Sequence, residues 1–336
     1  MNTDRRAFLK AAAYGAAGLS GANLMGRTSE ALGSLRSFSM AARLGPSKAN
    51  IATAEDGFEL WYEARGKGPA IIFVCRSPSE HLEYAEAMSD SYRIIQYETR
   101  SMALQEIPEA KNEEAYAKAL EAARAGKSLH IPRPPGHTKG RKLDWNPGKH
   151  KTYSIDLAVS DLHTIADAAG VDKFVLAGYS GTAAYAAFLA PYSDRAIGLI
   201  AGGFSILGSQ EYWVGILEGG RMAMLEDRKG KEAALANLSI LFYKDLHERN
   251  QEEAYSNLPG PKIVWFGSKD GEPEDILATM LRMGRVAQKT RKYRKEYERL
   301  GFKIIELEGY THIDAYSAVD VAVPKLMQAL NEAGYE

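Results

Sequence analysis

The chain has 336 residues, of which 45% are hydrophobic and 25% are charged, as is usual for a folded globular protein. The formal net charge of −1 and the absence of a nucleic-acid motif or a one-sided basic bias argue against a nucleic-acid partner. The single cysteine, Cys75, excludes an intrachain disulfide. The length allows one large domain with an insertion, or two domains.

Residues 1–31 predict an export signal peptide that is not part of the fold. Arg5-Arg6 precedes Phe-Leu-Lys and resembles a twin-arginine signal, and a weakly apolar run follows over residues 11–25. Ser29-Glu30-Ala31 is a plausible cleavage site, and the run is shorter than the roughly 20 residues of a membrane span. We expect the twin-arginine machinery to export the protein to the periplasm or beyond the cell. We expect no stable membrane anchor after signal removal, and a flexible lead-in over residues 32–48.

From residue 49 onward, short apolar runs alternate with helical periodicity, which predicts an α/β fold with a mainly parallel sheet flanked by helices. The predicted core covers residues 49–204 and 259–336. Its predicted strands are Phe58–Glu63, Ala70–Cys75, Tyr92–Tyr97, Lys173–Ala177, Ala196–Ala201, Lys262–Phe266 and Phe302–Leu307. Its predicted helices include Asn112–Ala125, Ile155–Ala169, Ala183–Leu189 and Ala315–Ala333.

Two segments interrupt this alternation. Residues 104–150 form an insertion, and the stretch 127–151 carries seven Lys or Arg residues against a single acid, Asp144. We interpret this stretch as a solvated surface loop, with a lid or an anion-attracting rim as the functional alternative. Residues 205–258 are interpreted as a helical cap over the carboxyl edge of the sheet.

The sequence Gly178-Tyr179-Ser180-Gly181-Thr182 lies where a predicted strand runs directly into a helix of small residues. A serine between small residues at such a turn is typical of an exposed nucleophile, although Thr182 departs from the G-x-S-x-G pattern. The backbone N–H of Gly181 would point to where an oxyanion forms. An ordinary Gly-Ser turn is the alternative.

A serine nucleophile needs a general base, and the base needs an orienting carboxylate. His312 is the candidate base, because it follows the last predicted strand in a loop before the C-terminal helix. Asp270 is the candidate acid, because it follows the preceding strand. Three competing acids lie in the same loop: Glu272, Glu274 and Asp275. Glu211, near the end of the preceding strand, is a less favoured alternative.

The chain order Ser180, Asp270, His312 resembles that of the α/β-hydrolase superfamily, in its capped form, over about residues 50–336. The resemblance implies an α/β-hydrolase fold with a helical cap insertion, acyl transfer to water, and neither a metal nor an organic cofactor. It also implies that the backbone N–H of Ser77 joins that of Gly181 in an oxyanion hole.

The segment Cys75-Arg76-Ser77-Pro78 departs from the His-Gly-x-Pro found in many members of this superfamily. Arg76 could bind a carboxylate of the substrate, or it could pair with an acid such as Glu98. Tyr179, beside Ser180, is a second candidate for substrate binding. We interpret Cys75 as a small buried hydrophobic residue rather than a nucleophile.

These features predict a serine hydrolase that cleaves a small or medium carboxylic ester, lactone or related acyl bond. Its partner would be a small-molecule substrate. Two alternatives stay open: a non-hydrolytic, lyase-type enzyme on the same scaffold, and a non-catalytic exported binding protein.

Overall fold

A computed structural model describes the chain over residues 50–76, 80–104, 107–124, 132–141, 154–208, 251–272 and 285–336. The predicted export signal and lead-in lie outside these residues, as do 209–250, which make up most of the predicted cap. Both therefore stay predictions. Within the described ranges, no helix is both long enough and apolar enough to cross a membrane.

Eight described strands form a single sheet in the order β1-β2-β4-β3-β5-β6-β7-β8. The pairs β1–β2 and β2–β4 are antiparallel. The strands β3 to β8 all run parallel to one another. The strands are β1 (Asn50–Thr53), β2 (Glu59–Arg65), β3 (Ala70–Cys75), β4 (Arg93–Glu98), β5 (Phe174–Tyr179), β6 (Ala196–Gly202), β7 (Lys262–Gly267) and β8 (Lys303–Leu307).

The helices follow the strands in chain order. They are α1 (Leu82–Met88), α2 (Arg100–Ala103), α3 (Glu113–Arg124), α4 (Ile155–Ala168), α5 (Gly181–Leu189), α6 (Gln251–Ser256), α7 (Val286–Lys292), α8 (Arg294–Arg299), α9 (His312–Ser317) and α10 (Val319–Glu332). A short 3₁₀ helix, Ala190–Tyr192, follows α5.

The core lies on both faces of the sheet, because neighbouring residues of each inner strand point to opposite faces. Ile72 and Leu176 belong to the apolar layer shared with α4 and α5. Ile71 and Val175, one position earlier in each strand, belong to the layer shared with α1 and α10. This double burial explains why the predicted inner strands are continuous apolar runs, and all seven predicted strands are confirmed to within two residues.

The C-terminal helix was predicted wrongly in one respect. The predicted helix Ala315–Ala333 is two helices, α9 and α10, separated at Ala318. The first of them begins at His312, which therefore starts a helix rather than lying in a loop. Thr311 caps this helix, since its side-chain oxygen accepts a hydrogen bond from the Asp314 backbone N–H at 3.4 Å.

The inner strands carry their functional residues to one edge of the sheet. Because β3 to β8 are parallel, the segments that follow them all emerge at the carboxyl edge, where open α/β sheets form their ligand crevices. The strand order reverses between β3 and β5, and the turn after β5 carries Ser180. Asp270 follows β7 and His312 follows β8 at this same edge.

Candidate active site

Ser180 lies in a tight turn between β5 and α5, with φ of 56° and ψ of −123°. It is one of two non-glycine residues with positive φ in the described part of the chain, the other being Arg285. A side chain in this region is strained and needs support from its surroundings. The Ser180 N–H donates to the Gly202 carbonyl oxygen at 2.7 Å, which fixes the turn to β6.

The neighbours of Ser180 explain how the turn closes. A Cβ atom at Gly178 would lie 2.5 Å from the backbone of Thr182, so only glycine fits there. The Thr182 hydroxyl accepts from the Tyr179 N–H at 3.0 Å and donates to the Tyr179 carbonyl oxygen at 2.9 Å. Thr182 is the residue that departs from the G-x-S-x-G pattern. It stabilises the turn by hydrogen bonds to Tyr179, the last residue of β5.

The structure brings His312 and Asp270 together. The Nδ1 atom of His312 lies 2.8 Å from Oδ2 of Asp270, and the two side chains are only 13% and 4% exposed. The Asp270 N–H donates to the Gly267 carbonyl oxygen, and its own carbonyl accepts from the Ala287 N–H. The carboxylate is therefore held on a fixed backbone and orients the imidazole through Nδ1.

Two glycines make room for the histidine. A Cβ at Gly203 would lie 2.6 Å from Cζ of Tyr179 and 2.8 Å from Cε1 of His312, and the φ of Gly203 is +57°. A Cβ at Gly267 would lie 2.2 Å from the carbonyl oxygen of Tyr310. The residues at the ends of β6 and β7 thus approach the segment Tyr310–His312 more closely than any side chain would allow.

The two predicted oxyanion donors differ in what the structure describes. Gly181 is the first residue of α5, so its N–H lies at the helix end where the backbone donors lack an intrahelical acceptor. Ser77 lies outside the described residues, and its predicted role stays a prediction. The competing acids Glu274, Asp275 and Glu211 also lie outside them.

Arg76 forms an ion pair with Glu80. Its Nε donates to Oε1 of Glu80 at 2.7 Å, and a terminal nitrogen lies 2.6 Å from the same oxygen. Burial alone would raise the pKa of Glu80, but Arg76 and His81 outweigh it and lower that pKa. The alternative that Arg76 pairs with an acid is confirmed, but that acid is Glu80, in the same loop, rather than Glu98. A substrate carboxylate would have to compete with Glu80.

Tyr179 is buried beside Ser180, with 4% of its surface exposed. Its hydroxyl donates to the backbone carbonyl oxygen of His312 at 2.6 Å. Its ring centroid lies 5.1 Å from that of His312, 4.8 Å from that of Trp265 and 4.7 Å from that of Tyr316. The residue predicted as a substrate contact therefore packs beneath the histidine, a role that the sequence did not indicate.

His81 and Cys75 are both buried near the end of β3. His81 Nε2 lies 3.0 Å from the Val74 carbonyl oxygen, and burial lowers the pKa of the ring. Burial, with the charge of Glu80 acting in the same direction, raises the pKa of the Cys75 thiol well above its usual value. A thiol held in this form is a poor nucleophile, as expected for a buried apolar cysteine.

Part of the basic insertion is folded inward rather than solvated. Glu98, at the end of β4, is fully buried and lies 2.8 Å from Arg133, 3.1 Å from His137 and 2.8 Å from Arg141. Burial alone would raise the pKa of Glu98, but the hydrogen bond from His137 and the two guanidinium charges lower it. For Arg133, His137 and Arg141 the surface-loop interpretation is therefore wrong, because these side chains bind a buried carboxylate, whereas Lys139 is exposed as expected.

A metal site would need several ligating side chains in one place. Among the described residues, no group of three or more His, Cys, Asp or Glu side chains is arranged to hold a metal ion.

The strand order, together with a strained serine at the β5–α5 turn, defines an α/β-hydrolase fold. No family model and no curated protein matches the chain. Solved structures with a similar fold include a bromoperoxidase from Bacillus anthracis (14% identity, 84% of this chain and 99% of that one, TM-score 0.48). Others are an α/β hydrolase from Sphaerobacter thermophilus (14%, 83% and 99%, 0.45) and an enol-lactonase from Burkholderia xenovorans (15%, 84% and 100%, 0.45).

Proposed function

We propose that this protein is a serine hydrolase that cleaves a small or medium carboxylic ester, lactone or related acyl bond. The hydrogen bond between His312 Nδ1 and Asp270 carries the proposal. It joins side chains from the ends of two adjacent strands, at the edge where the strained Ser180 is held. A backbone this constrained at a serine is a feature of nucleophile turns.

In the proposed reaction, Oγ of Ser180 attacks the carbonyl carbon while Nε2 of His312 takes the hydroxyl proton. Asp270 holds the ring by Nδ1 and stabilises the imidazolium that forms. The backbone N–H of Gly181, with that of Ser77, stabilises the oxyanion of the tetrahedral intermediate. His312 then gives its proton to the leaving group. A water activated by His312 releases the acid and restores Ser180.

The test is turnover of short-chain 4-nitrophenyl esters and of simple lactones by the mature protein. Ser180→Ala should lower the rate of hydrolysis by at least about 1,000-fold, because the nucleophile is lost. The matched control is Ser160→Ala on the outer helix α4, which should keep the wild-type rate. Equal activity of Ser180→Ala and the wild-type protein would contradict the proposal.

Reaction in ¹⁸O-labelled water separates hydrolysis from other chemistry on this scaffold. A hydrolase must place one water oxygen in the acid product. A product that lacks the label, formed only when Ser180 is present, would instead support the lyase-type alternative.

A further inference from the structure

Tyr179 connects two parts of the site that are far apart in the chain. It is the last residue of β5 and directly precedes Ser180. Its hydroxyl donates to the carbonyl oxygen of His312, a residue 133 positions away and the first of α9. One side chain therefore joins the backbone at the candidate nucleophile to the backbone at the candidate base.

The donor end of this connection is rigid. The Tyr179 N–H is bound by the Thr182 hydroxyl at 3.0 Å, and the Ser180 N–H is bound by Gly202 at 2.7 Å. The Tyr179 ring packs tightly over Gly203, where a Cβ would lie 2.6 Å from its Cζ atom. The position of the hydroxyl is thus fixed relative to Ser180.

The acceptor end needs such support. His312 starts a helix of only six residues, so the helix itself gives little hold on its first residue. Asp270 restrains the ring at Nδ1, which is a different point of the residue from its backbone carbonyl. The bond from Tyr179 restrains the same residue at its backbone carbonyl, which supplies a second point of attachment.

Substrate contact does not fit the Tyr179 hydroxyl. A phenol has one proton to donate, and here that proton goes to the His312 carbonyl oxygen at 2.6 Å. The residue is 4% exposed and its ring lies among Trp265, Tyr316 and His312. A hydroxyl so placed acts on the histidine rather than on a ligand.

We propose that Tyr179 is a positioning residue that sets the distance and orientation of His312 relative to Ser180. The inference rests on the proposed serine-hydrolase function. It predicts that loss of the hydroxyl alone slows the proton transfer from Ser180 while reagent binding stays unchanged.

The test is the variant Tyr179→Phe, which keeps the ring and removes only the hydroxyl. The rate constant for phosphonylation of Ser180 by a fluorophosphonate is measured against reagent concentration. We expect the limiting rate constant to fall about ten-fold, since a misplacement of about 1 Å can cost roughly 100-fold. The half-saturating concentration should stay within about two-fold, because the reagent does not contact Tyr179.

The matched control is Tyr84→Phe. Tyr84 lies in the same aromatic cluster, and its hydroxyl donates to the carbonyl oxygen of Tyr316 at 2.7 Å, also in α9. This variant removes an equivalent bond from the same helix but not from His312, so its limiting rate constant should stay within about two-fold of wild type. An unchanged rate constant in Tyr179→Phe, or equal losses in both variants, would overturn the inference.

A second readout does not depend on reactivity. The hydrogen-bonded Nδ1 proton of His312 can be observed by NMR in protein carrying ¹⁵N-labelled histidine, with His312→Gln to assign it. Its signal should broaden or shift in Tyr179→Phe and stay unchanged in Tyr84→Phe. If wild-type Ser180 reacts with no fluorophosphonate, the proposed function fails. The NMR comparison then decides the positioning role alone, and identical spectra for both variants would refute it.

Discussion

The residues of the candidate site are held mainly through their backbones. Ser180 is fixed by a bond to Gly202, and Asp270 is fixed by bonds to Gly267 and Ala287. A buried carboxylate lies 2.8 Å from Nδ1 of His312, an arrangement that favours the tautomer with its proton on Nδ1 and, in the proposed reaction, leaves Nε2 to accept the proton of Ser180. Removal of the negative charge at Asp270 should therefore be felt in the chemistry more than in the fold.

Asp270→Asn keeps the size of the side chain but removes the charge that, in the proposed reaction, stabilises the imidazolium. We expect the rate of ester hydrolysis to fall by roughly 100-fold or more. Glu272→Gln is the matched control, because Glu272 lies in the same loop and faces Arg291 at 3.6 Å rather than His312. Its rate should stay within about two-fold of wild type.

Thermal unfolding would establish that both variants are folded before their rates are compared. A wild-type rate in Asp270→Asn would mean that the carboxylate is structural. A large loss in Glu272→Gln instead would move the role of the acid to Glu272, one of the competing acids in the same loop.

The sequence predicted site residues whose positions follow from a nearby strand end, but it did not predict contacts between residues far apart in the chain. Asp270 and His312 were each predicted because they follow the end of a predicted strand. In the structure, Nδ1 of His312 lies 2.8 Å from Oδ2 of Asp270. The bond from Tyr179 to His312 spans 133 residues and has no local pattern. The start of α9 did have one, since Thr311-His312-Ile313-Asp314 matches a helix-capping pattern that was not used.

At the scale of elements, the insertion is attached to the sheet by charge. Glu98 lies at the carboxyl end of β4, and Arg133 and Arg141 bind it from the segment 132–141. Within the insertion itself, the Glu109 carboxylate accepts hydrogen bonds from the backbone N–H groups of Gly136 and Thr138. Composition alone suggested a solvated loop, because a count of charges does not tell which basic side chains find a buried partner.

Glu98→Gln should lower the free energy of unfolding by about 3–5 kcal/mol, because it leaves two buried guanidinium groups without their anion. The control is Glu114→Gln on α3, which removes an exposed ion pair to Lys118 and should cost less than about 1 kcal/mol. Denaturant unfolding at neutral pH measures both. Equal stabilities of the two variants would contradict the account of the insertion.

The same cluster predicts the direction of the pH dependence. The pKa of Glu98 is lowered, so its contribution is present above the usual carboxyl range and is lost as pH falls through the folded-state pKa. The pKa of His137 is lowered by burial, so protonation below the usual histidine range also favours the unfolded chain. The stability difference between wild type and Glu98→Gln should therefore shrink on acidification.

At the scale of the whole molecule, the fold follows from the alternation of apolar runs and helices. The runs were recognisable because β3 to β7 are buried on both faces, and most strand limits were predicted within a residue or two. The short helices α1, α2, α7 and α8 were not predicted, since segments of four to seven residues carry too few turns to show a period. The antiparallel edge strand β1 was missed for the same reason.

The sheet explains how distant segments form one site. Parallel strands carry Ser180, Asp270 and His312 to one edge, and the strand order reverses between β3 and β5, the position at which open α/β sheets generally form their ligand crevices. The central claim is that these three residues act together, with Ser180 as the nucleophile.

The most direct measurement is fluorophosphonate labelling of the purified protein, with the site of attachment located by peptide mass spectrometry. The account predicts a single adduct on Ser180 that is lost in His312→Ala, while circular dichroism shows that variant to be folded. An adduct on another residue, or undiminished labelling of Ser180 in His312→Ala, would contradict it.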